Sequence, residues 1–126
     1  MGVTYDTGAL IAAERNDRDM WALHQGFLDA GIIPLIPAPV LAEAWRGGAR
    51  QARLVHFLNA SELVDFTVNL AKQTGTLAGK ARHDDIVDVS VVESALRRRD
   101  AIVTSNSGHI RACLDAEGVS RPIHEV

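Results

Sequence analysis

Four polar side chains, Asp6, Glu43, Asp88 and Asn106, lie far apart along the chain: Asp6 and Asn106 follow β-prone runs, and Glu43 and Asp88 stand in the early turns of helical stretches. Three are carboxylates, and gathered in one crevice they would repel one another unless protonated or bridged by a cation. Hard oxygen donors without a thiolate or histidine cluster suit Mg²⁺ or Mn²⁺ better than zinc. The matching chemistry is phosphodiester hydrolysis, in which such an ion orients and deprotonates a water and shields the charge of the transition state. Asp6 and Asp88 are the leading metal ligands and Glu43 the next. Asn106 completes the candidate catalytic set as a neutral oxygen for substrate, water or a metal-bound water.

The elements that must position these groups can be read from the apolar pattern. Val3-Thr4-Tyr5 is a β-prone run ending at Asp6, and Ala9 to Glu14 reads as a helix behind Thr7-Gly8. A second helix is predicted from Arg18 to Ala30, closed by Gly31. Ile32 to Ile36 is the next strand, and Pro34 within it points to an edge or to the strand's start. Val40 to Arg46 continues as a helix with Pro39 near its first position, and Ala49 to Ala60 forms another beyond Gly47-Gly48. Glu62 to Phe66 supplies a short strand, and Val68 to Gly79 a helix.

The segment from His83 to His109 organises the remainder. It opens with acids, runs as a helix into Arg97-Arg98-Arg99 and feeds the strand Ala101-Ile102-Val103 through Asp100. On that helix Val91, Val92 and Ala95 fall within about 60° of Asp88, so this acid shares the face that must be buried. Such burial is costly unless something neutralises the charge. Asp84 and Asp85, one turn earlier, suit helix capping. A helix from His109 to Ala116 and a strand from Arg121 to His124 close the chain.

Strands and helices alternate throughout, which predicts a three-layer α/β/α sandwich around a parallel sheet of four to five short strands, as one domain over residues 1–126. In a parallel unit each helix runs antiparallel to the strand it feeds, so Asp6, Glu43, Asp88 and Asn106 all fall at the carboxyl edge of the sheet. If the first and fourth strands are neighbours, that edge is also the switch-point crevice where open sheets bind ligands.

A 47% hydrophobic content over 126 residues can bury a core without staples. The net charge of −3 argues against binding nucleic acid through bulk positive charge, so a polyanion needs a local patch or metal ions. Arg46, Arg50 and Arg53, spaced at roughly one turn, can supply a basic stripe. Cys113 is the only cysteine, which excludes an internal disulfide and predicts a buried apolar side chain. The N-terminus lacks a signal-peptide pattern, and no segment approaches a membrane span of about 20 apolar residues, so a cytoplasmic protein is expected. His24, His56, His109 and His124 show no ligand spacing, and Trp21 and Trp45 read as packing or dimer-surface residues.

Tyr5-Asp6-Thr7-Gly8-Ala9-Leu10, then Val40-Leu41-Ala42-Glu43, then Asp88 sixteen residues before Thr104-Ser105-Asn106, resembles the PIN domain, specifically the VapC ribonuclease toxins of bacterial toxin–antitoxin pairs. The resemblance implies a Mg²⁺-dependent endoribonuclease acting on structured RNA such as tRNA, a homodimer, and a VapB-type antitoxin that blocks the crevice. Thr7, Thr104 and Ser105 then stand as substrate-binding residues, with Arg46 and Arg50 contacting phosphates. The chain departs from that pattern at Asn106, where an Asp is usual, and at His109, where another acid is common. This weakens a second metal site and leaves a catalytically weak or inactive RNA- or partner-binding module as the alternative.

A phosphorelay receiver domain fits less well: it wants paired acids at the first strand end and a lysine at the last. Asp6 is alone there, and the only lysines are Lys72 and Lys80. No phosphate-binding glycine motif follows the first strand, and His83-Asp84 by itself is no metal-phosphohydrolase signature. Asn106→Asp is expected to raise metal affinity or activity; an unchanged metal titration would show that position 106 does not reach the ion.

Overall fold

Val3–Tyr5 forms β1, and all three of its residues are buried, as a central strand covered on both faces requires. This computed structural model describes residues 2–126. The chain continues through α1 (Thr7–Glu14), α2 (Arg18–Asp29), β2 (Leu35–Pro37) and α3 (Ala38–Ala44). A 3₁₀ turn (Ala49–Gln51) then leads into α4 (Ala52–Asn59), β3 (Glu62–Val64) and α5 (Val68–Ala81). The last elements are α6 (Ile86–Arg98), β4 (Ala101–Thr104), α7 (Ser107–Ala116) and β5 (Ile123–Glu125).

All strand pairs are parallel, in the order β3-β2-β1-β4-β5. The chain leaves β1 toward β2 on one side and returns to β4 on the other, in the register Val3 with Ala101, Thr4 with Ile102 and Tyr5 with Val103. The gap between β1 and β4 is therefore the switch point at which the winding reverses. Right-handed crossovers set α1 to α4 on one face of the sheet and α5 to α7 on the other. In agreement, α1 packs on α2, α3 and α4, while α5, α6 and α7 pack together. Among the described residues this is the α/β/α sandwich that the alternation predicted, with five strands.

Local chemistry sets the helix ends. Asp17 caps α2 by accepting from the Met20 N–H, Thr67 caps α5 from Leu70, and Asp85 caps α6 from both Val87 and Asp88. Arg82 and Arg99, both in the left-handed region, end α5 and α6. Tyr5, Leu10, Met20, Ile36, Leu54, Phe57, Ile102 and Ile110 are fully buried, and each such side chain contributes roughly 1.5–3 kcal/mol. Near them the Tyr5 hydroxyl meets His24 Nδ1 at 3.0 Å, and the Tyr5 ring stacks on Phe57. Burial lowers the His24 pKa, with help from the charge of His56, so this histidine is a neutral core residue.

Several boundaries differ from the sequence expectation. β2 begins only at Leu35, and it is an interior strand, not an edge. Pro34 needs no ladder N–H because it precedes the strand, and its carbonyl accepts from Glu62 at 2.8 Å. The helix expected from Val40 is shifted to Ala38–Ala44, with Pro39 in its first turn. The helix expected from Ala49 is split because its first residues make a 3₁₀ turn. α5 runs past Gly79 and stops where Arg82 turns left-handed, and α7 starts two residues early, at Ser107.

Gly8 lets the start of α1 lie against the loop after β4: a Cβ there would stand 2.8 Å from the Ser105 backbone nitrogen. Gly26, in the exposed part of α2, has nothing within 4 Å of its added Cβ. Gly8→Ala is expected to destabilise by about 1–3 kcal/mol through overpacking, whereas Gly26→Ala should stabilise by about 0.5–1 kcal/mol. Urea denaturation of the two variants decides this, and equal effects would mean that the contact of α1 with the loop is not tight.

Candidate active site at the carboxyl edge of the sheet

Asp6 leaves the end of β1, and its backbone N–H donates to the Val103 carbonyl of β4 at 2.9 Å. Its carboxylate is held from two sides. Oδ1 accepts from the Thr7 N–H at 2.7 Å, and Oδ2 accepts from the Thr104 hydroxyl at 2.7 Å. Thr104 Oγ1 in turn accepts from the Asn106 N–H at 2.9 Å, so the turn after β4 and the acid after β1 are fixed as one unit. Asp6 is only 3% exposed. Burial raises its pKa, the bonds from Thr104 and Thr7 oppose that rise, and the charges of Asp88 and Glu43 reinforce it.

Asp88 occupies the first turn of α6 and is buried, on the same side as Val91, Val92 and Ala95. Glu43 lies on α3, which packs against α6, and is exposed at the rim. Both carboxylates are close enough to act on Asp6 electrostatically. Asn106 precedes α7 and is exposed. The structure therefore brings Asp6, Asp88 and Asn106 to the β1–β4 crevice, with Glu43 beside it.

The expected substrate residues divide. Thr104 is fully buried, and its hydroxyl is committed to Asp6, so it acts by holding that acid. Thr7 is buried too, and its Oγ1 has no hydrogen-bond partner. Ser105 and Arg50 are exposed. The basic stripe expected from Arg46, Arg50 and Arg53 is not a single helix face. Arg46 stands beyond α3, and its guanidinium donates to the carbonyls of Trp45 at 2.7 Å and Ala42 at 3.4 Å, while Arg53 lies in the first turn of α4.

Two histidines correct the sequence reading that no ligand spacing exists. His83 Nε2 lies 3.3 Å and His109 Nδ1 3.5 Å from the same Asp88 oxygen, Oδ2. The imidazole ring centroids are 5.2 Å apart, with the ring planes inclined at 68°. Asn106 Nδ2 lies 2.7 Å from His109 Nδ1, an arrangement in which the amide donates and the ring nitrogen accepts. His83 and His109 are twenty-six residues apart, so no local pattern joins them. The available signal was topological: one precedes the helix that feeds β4, and the other opens the helix that follows it.

Cys113 is buried in α7, and burial followed by the charges of Asp88 and Asp85 raises its thiol pKa. It is an uncharged packing residue, as expected. An apolar groove of about 470 Å³ lies elsewhere, lined by Leu41, Trp45, Val55, Leu58 and Leu63 among others.

A divalent ion suits this donor set. Asp6 and Asp88 are buried near each other and near Glu43, and the unpartnered Thr7 hydroxyl adds an oxygen beside Asp6. His83, Asp88 and His109 also form a group whose ligand atoms lie within 4.8 Å of one another.

No protein-family model and no curated protein matches the sequence. Among solved structures, a chain of VapBC2 from Rickettsia felis, bound to a DNA fragment from its promoter, superposes with a TM-score of 0.76 at 17% identity, covering 100% of this chain and 99% of that one. A chain of FitAB bound to an IR36 DNA fragment gives a TM-score of 0.65 at 14% identity, with 98% and 94% covered. The fold is thus PIN-like over the whole chain, as the sequence resemblance implied.

The Asp6 titration has a definite sign. A carboxyl whose folded pKa is raised contributes stability below the ordinary aspartate range and loses it as pH rises through the folded value. In EDTA the urea midpoint of the wild type is expected to fall with pH across the window just above the ordinary aspartate value, and Asp6→Asn should lack that fall. Parallel pH profiles for the two proteins would assign the slope to another group.

Proposed function

We propose that the chain is a metal-dependent endoribonuclease of the VapC toxin type, hydrolysing phosphodiester bonds in structured RNA such as tRNA with Mg²⁺ or Mn²⁺. The observation that carries this reading is the burial of Asp6 and Asp88, with Glu43 nearby, at the switch point of a parallel sheet. Structural folds alone tolerate such crowding poorly, whereas a divalent cation compensates it. The PIN-like fold, shared with chains of VapBC2 and FitAB, adds to that support.

In this reading Asp6, Asp88 and Glu43 hold the ion, which supplies an activated water and charge shielding at the phosphate. The protein's own contribution is placement. Thr104 and the Thr7 N–H fix both oxygens of Asp6, so the carboxylate cannot swing away when substrate arrives. Asn106 and Ser105 stand at the mouth as neutral groups that can hydrogen-bond a phosphate or ribose without adding repulsion. Arg50 and Arg53 lie exposed and offer local positive charge on a chain whose net charge is −3.

Partners follow from the same reading: a VapB-type antitoxin that inhibits the nuclease, and a second copy of the chain in a cytoplasmic homodimer. The two similar structures are of VapBC2 and FitAB, each bound to a DNA fragment. The apolar groove, with Trp45 43% and Leu63 47% exposed, gives a macromolecular partner a surface to cover. No helix among the described residues is long and apolar enough to cross a membrane.

Asn106 at the position of an expected acid favours one competing reading, a PIN-like module that binds RNA or a partner without cutting. Cleavage assays separate the two. RNA cutting is expected with Mg²⁺ or Mn²⁺, to vanish with EDTA, and to fall by about a hundredfold or more in Asp6→Asn and in Asp88→Asn while circular dichroism stays native. Cleavage unchanged in both variants discards the assignment, and binding of RNA without cutting under any divalent ion favours the module.

A further inference from the structure

The donors around Asp88 do not match a purely hard-oxygen site. Asp88 Oδ2 is shared by His83 Nε2 at 3.3 Å and His109 Nδ1 at 3.5 Å, and the three atoms lie within 4.8 Å of one another. Charge-assisted contacts between a protonated imidazole and a carboxylate settle nearer about 2.7–2.9 Å. Both distances are close to the edge of a tetrahedral coordination shell, about 3.3–3.4 Å when metal–nitrogen bonds are about 2.0–2.1 Å. The His109 contact has a further peculiarity. Asn106 Nδ2 donates at 2.7 Å to the same His109 Nδ1, so the ring's lone pair is taken up by the amide and the 3.5 Å approach to Asp88 Oδ2 carries no hydrogen bond.

The segment that brings His83 here is constrained. Arg82 adopts φ 51 and ψ 44, a left-handed conformation unusual for a side chain with a Cβ. The His83 N–H donates back to the Ala78 carbonyl at 3.1 Å, which pins the residue at the crevice. Its side chain is 18% exposed and that of Asp88 9%, whereas His109 at 60% is open to solvent and leaves an approach for an ion.

We propose that His83, Asp88 and His109 form a binding site for a borderline transition-metal ion of the Co²⁺, Ni²⁺ and Zn²⁺ class, which two imidazoles and one carboxylate select over Mg²⁺. Turning the Asn106 amide away from His109 Nδ1 frees that nitrogen for the ion and offers Asn106 Oδ1 as a fourth donor, the second oxygen. The inference rests on the nuclease reading for its functional meaning, since it sets which ion the crevice prefers, but the binding itself is separable from cleavage.

Visible absorption of Co²⁺ titrated into the metal-stripped full chain tests it, because the ligand-field bands report nitrogen donors directly. One Co²⁺ per chain is expected, retained against excess Mg²⁺. His109→Ala and His83→Gln should each weaken Co²⁺ binding by about tenfold or more and change the band shape, with thermal unfolding as the folding control. His109 is exposed enough for its variant to fold, so the pair keeps the test decisive. Co²⁺ spectra and affinity unchanged in both variants, or a wild type from which Mg²⁺ displaces Co²⁺, overturn the proposal. RNA cleavage with Mg²⁺ alongside such unchanged spectra leaves the nuclease standing and removes the imidazole site. Imidazole-dependent Co²⁺ binding without cleavage under any ion does the reverse.

Discussion

A carboxylate buried at the junction of two strands must be held charged, or poised to be, in a place where other carboxylates repel it. Asp6 is the group under that constraint. Two donors, the Thr7 N–H and the Thr104 hydroxyl, hold it at 2.7 Å each, and Thr104 is itself tied to the Asn106 N–H. These bonds come from opposite sides of the β1–β4 pair, so the site exists only where the sheet changes its winding direction. The close fit of Gly8 against Ser105 belongs to the same arrangement, since a bulkier residue would push α1 off the loop that carries Thr104 and Asn106.

At the opposite end of the same two strands a second buried acid is used for a different purpose. Asp100 accepts from the Thr4 hydroxyl at 2.9 Å and pairs with Arg98 Nε at 3.4 Å. Its charge is balanced by protein groups alone, so it anchors the entry to β4 and is left with no need of an ion. The contrast between Asp100 and Asp6 lies in whether a cationic side chain is within reach: Arg98 pairs with the first, whereas the second is held by the neutral donors Thr7 N–H and Thr104 Oγ1.

Much of this was legible in the sequence because it depends on local rules. The apolar β1 run, the Asp6 strand end, the sided helix carrying Asp88 and the alternation that forces a parallel sheet all follow from periodicity and helix geometry. The boundaries that were missed depend on contacts the chain makes with itself at a distance. β2 starts late because its pairing with β3 begins at Leu35 and Glu62, and α5 passes Gly79 because nothing there requires a left-handed turn until Arg82. The histidine pair was hidden for the same reason. Neither His83 nor His109 has a neighbour in sequence that marks it, and only the crossover from α6 through β4 to α7 makes them adjacent.

Every strand pairing in the sheet is parallel, so none can form from a simple hairpin, and the contributors to the crevice are drawn from positions 6, 43, 83, 88, 104 and 109. Contacts of such long sequence separation are closed late and at high entropic cost. A nascent polypeptide emerging from the ribosome consequently holds no assembled crevice until the segment through His109 has been released. Whatever chemistry that crevice performs is thereby withheld from truncated translation products, a safeguard that arises from topology without any added regulatory element.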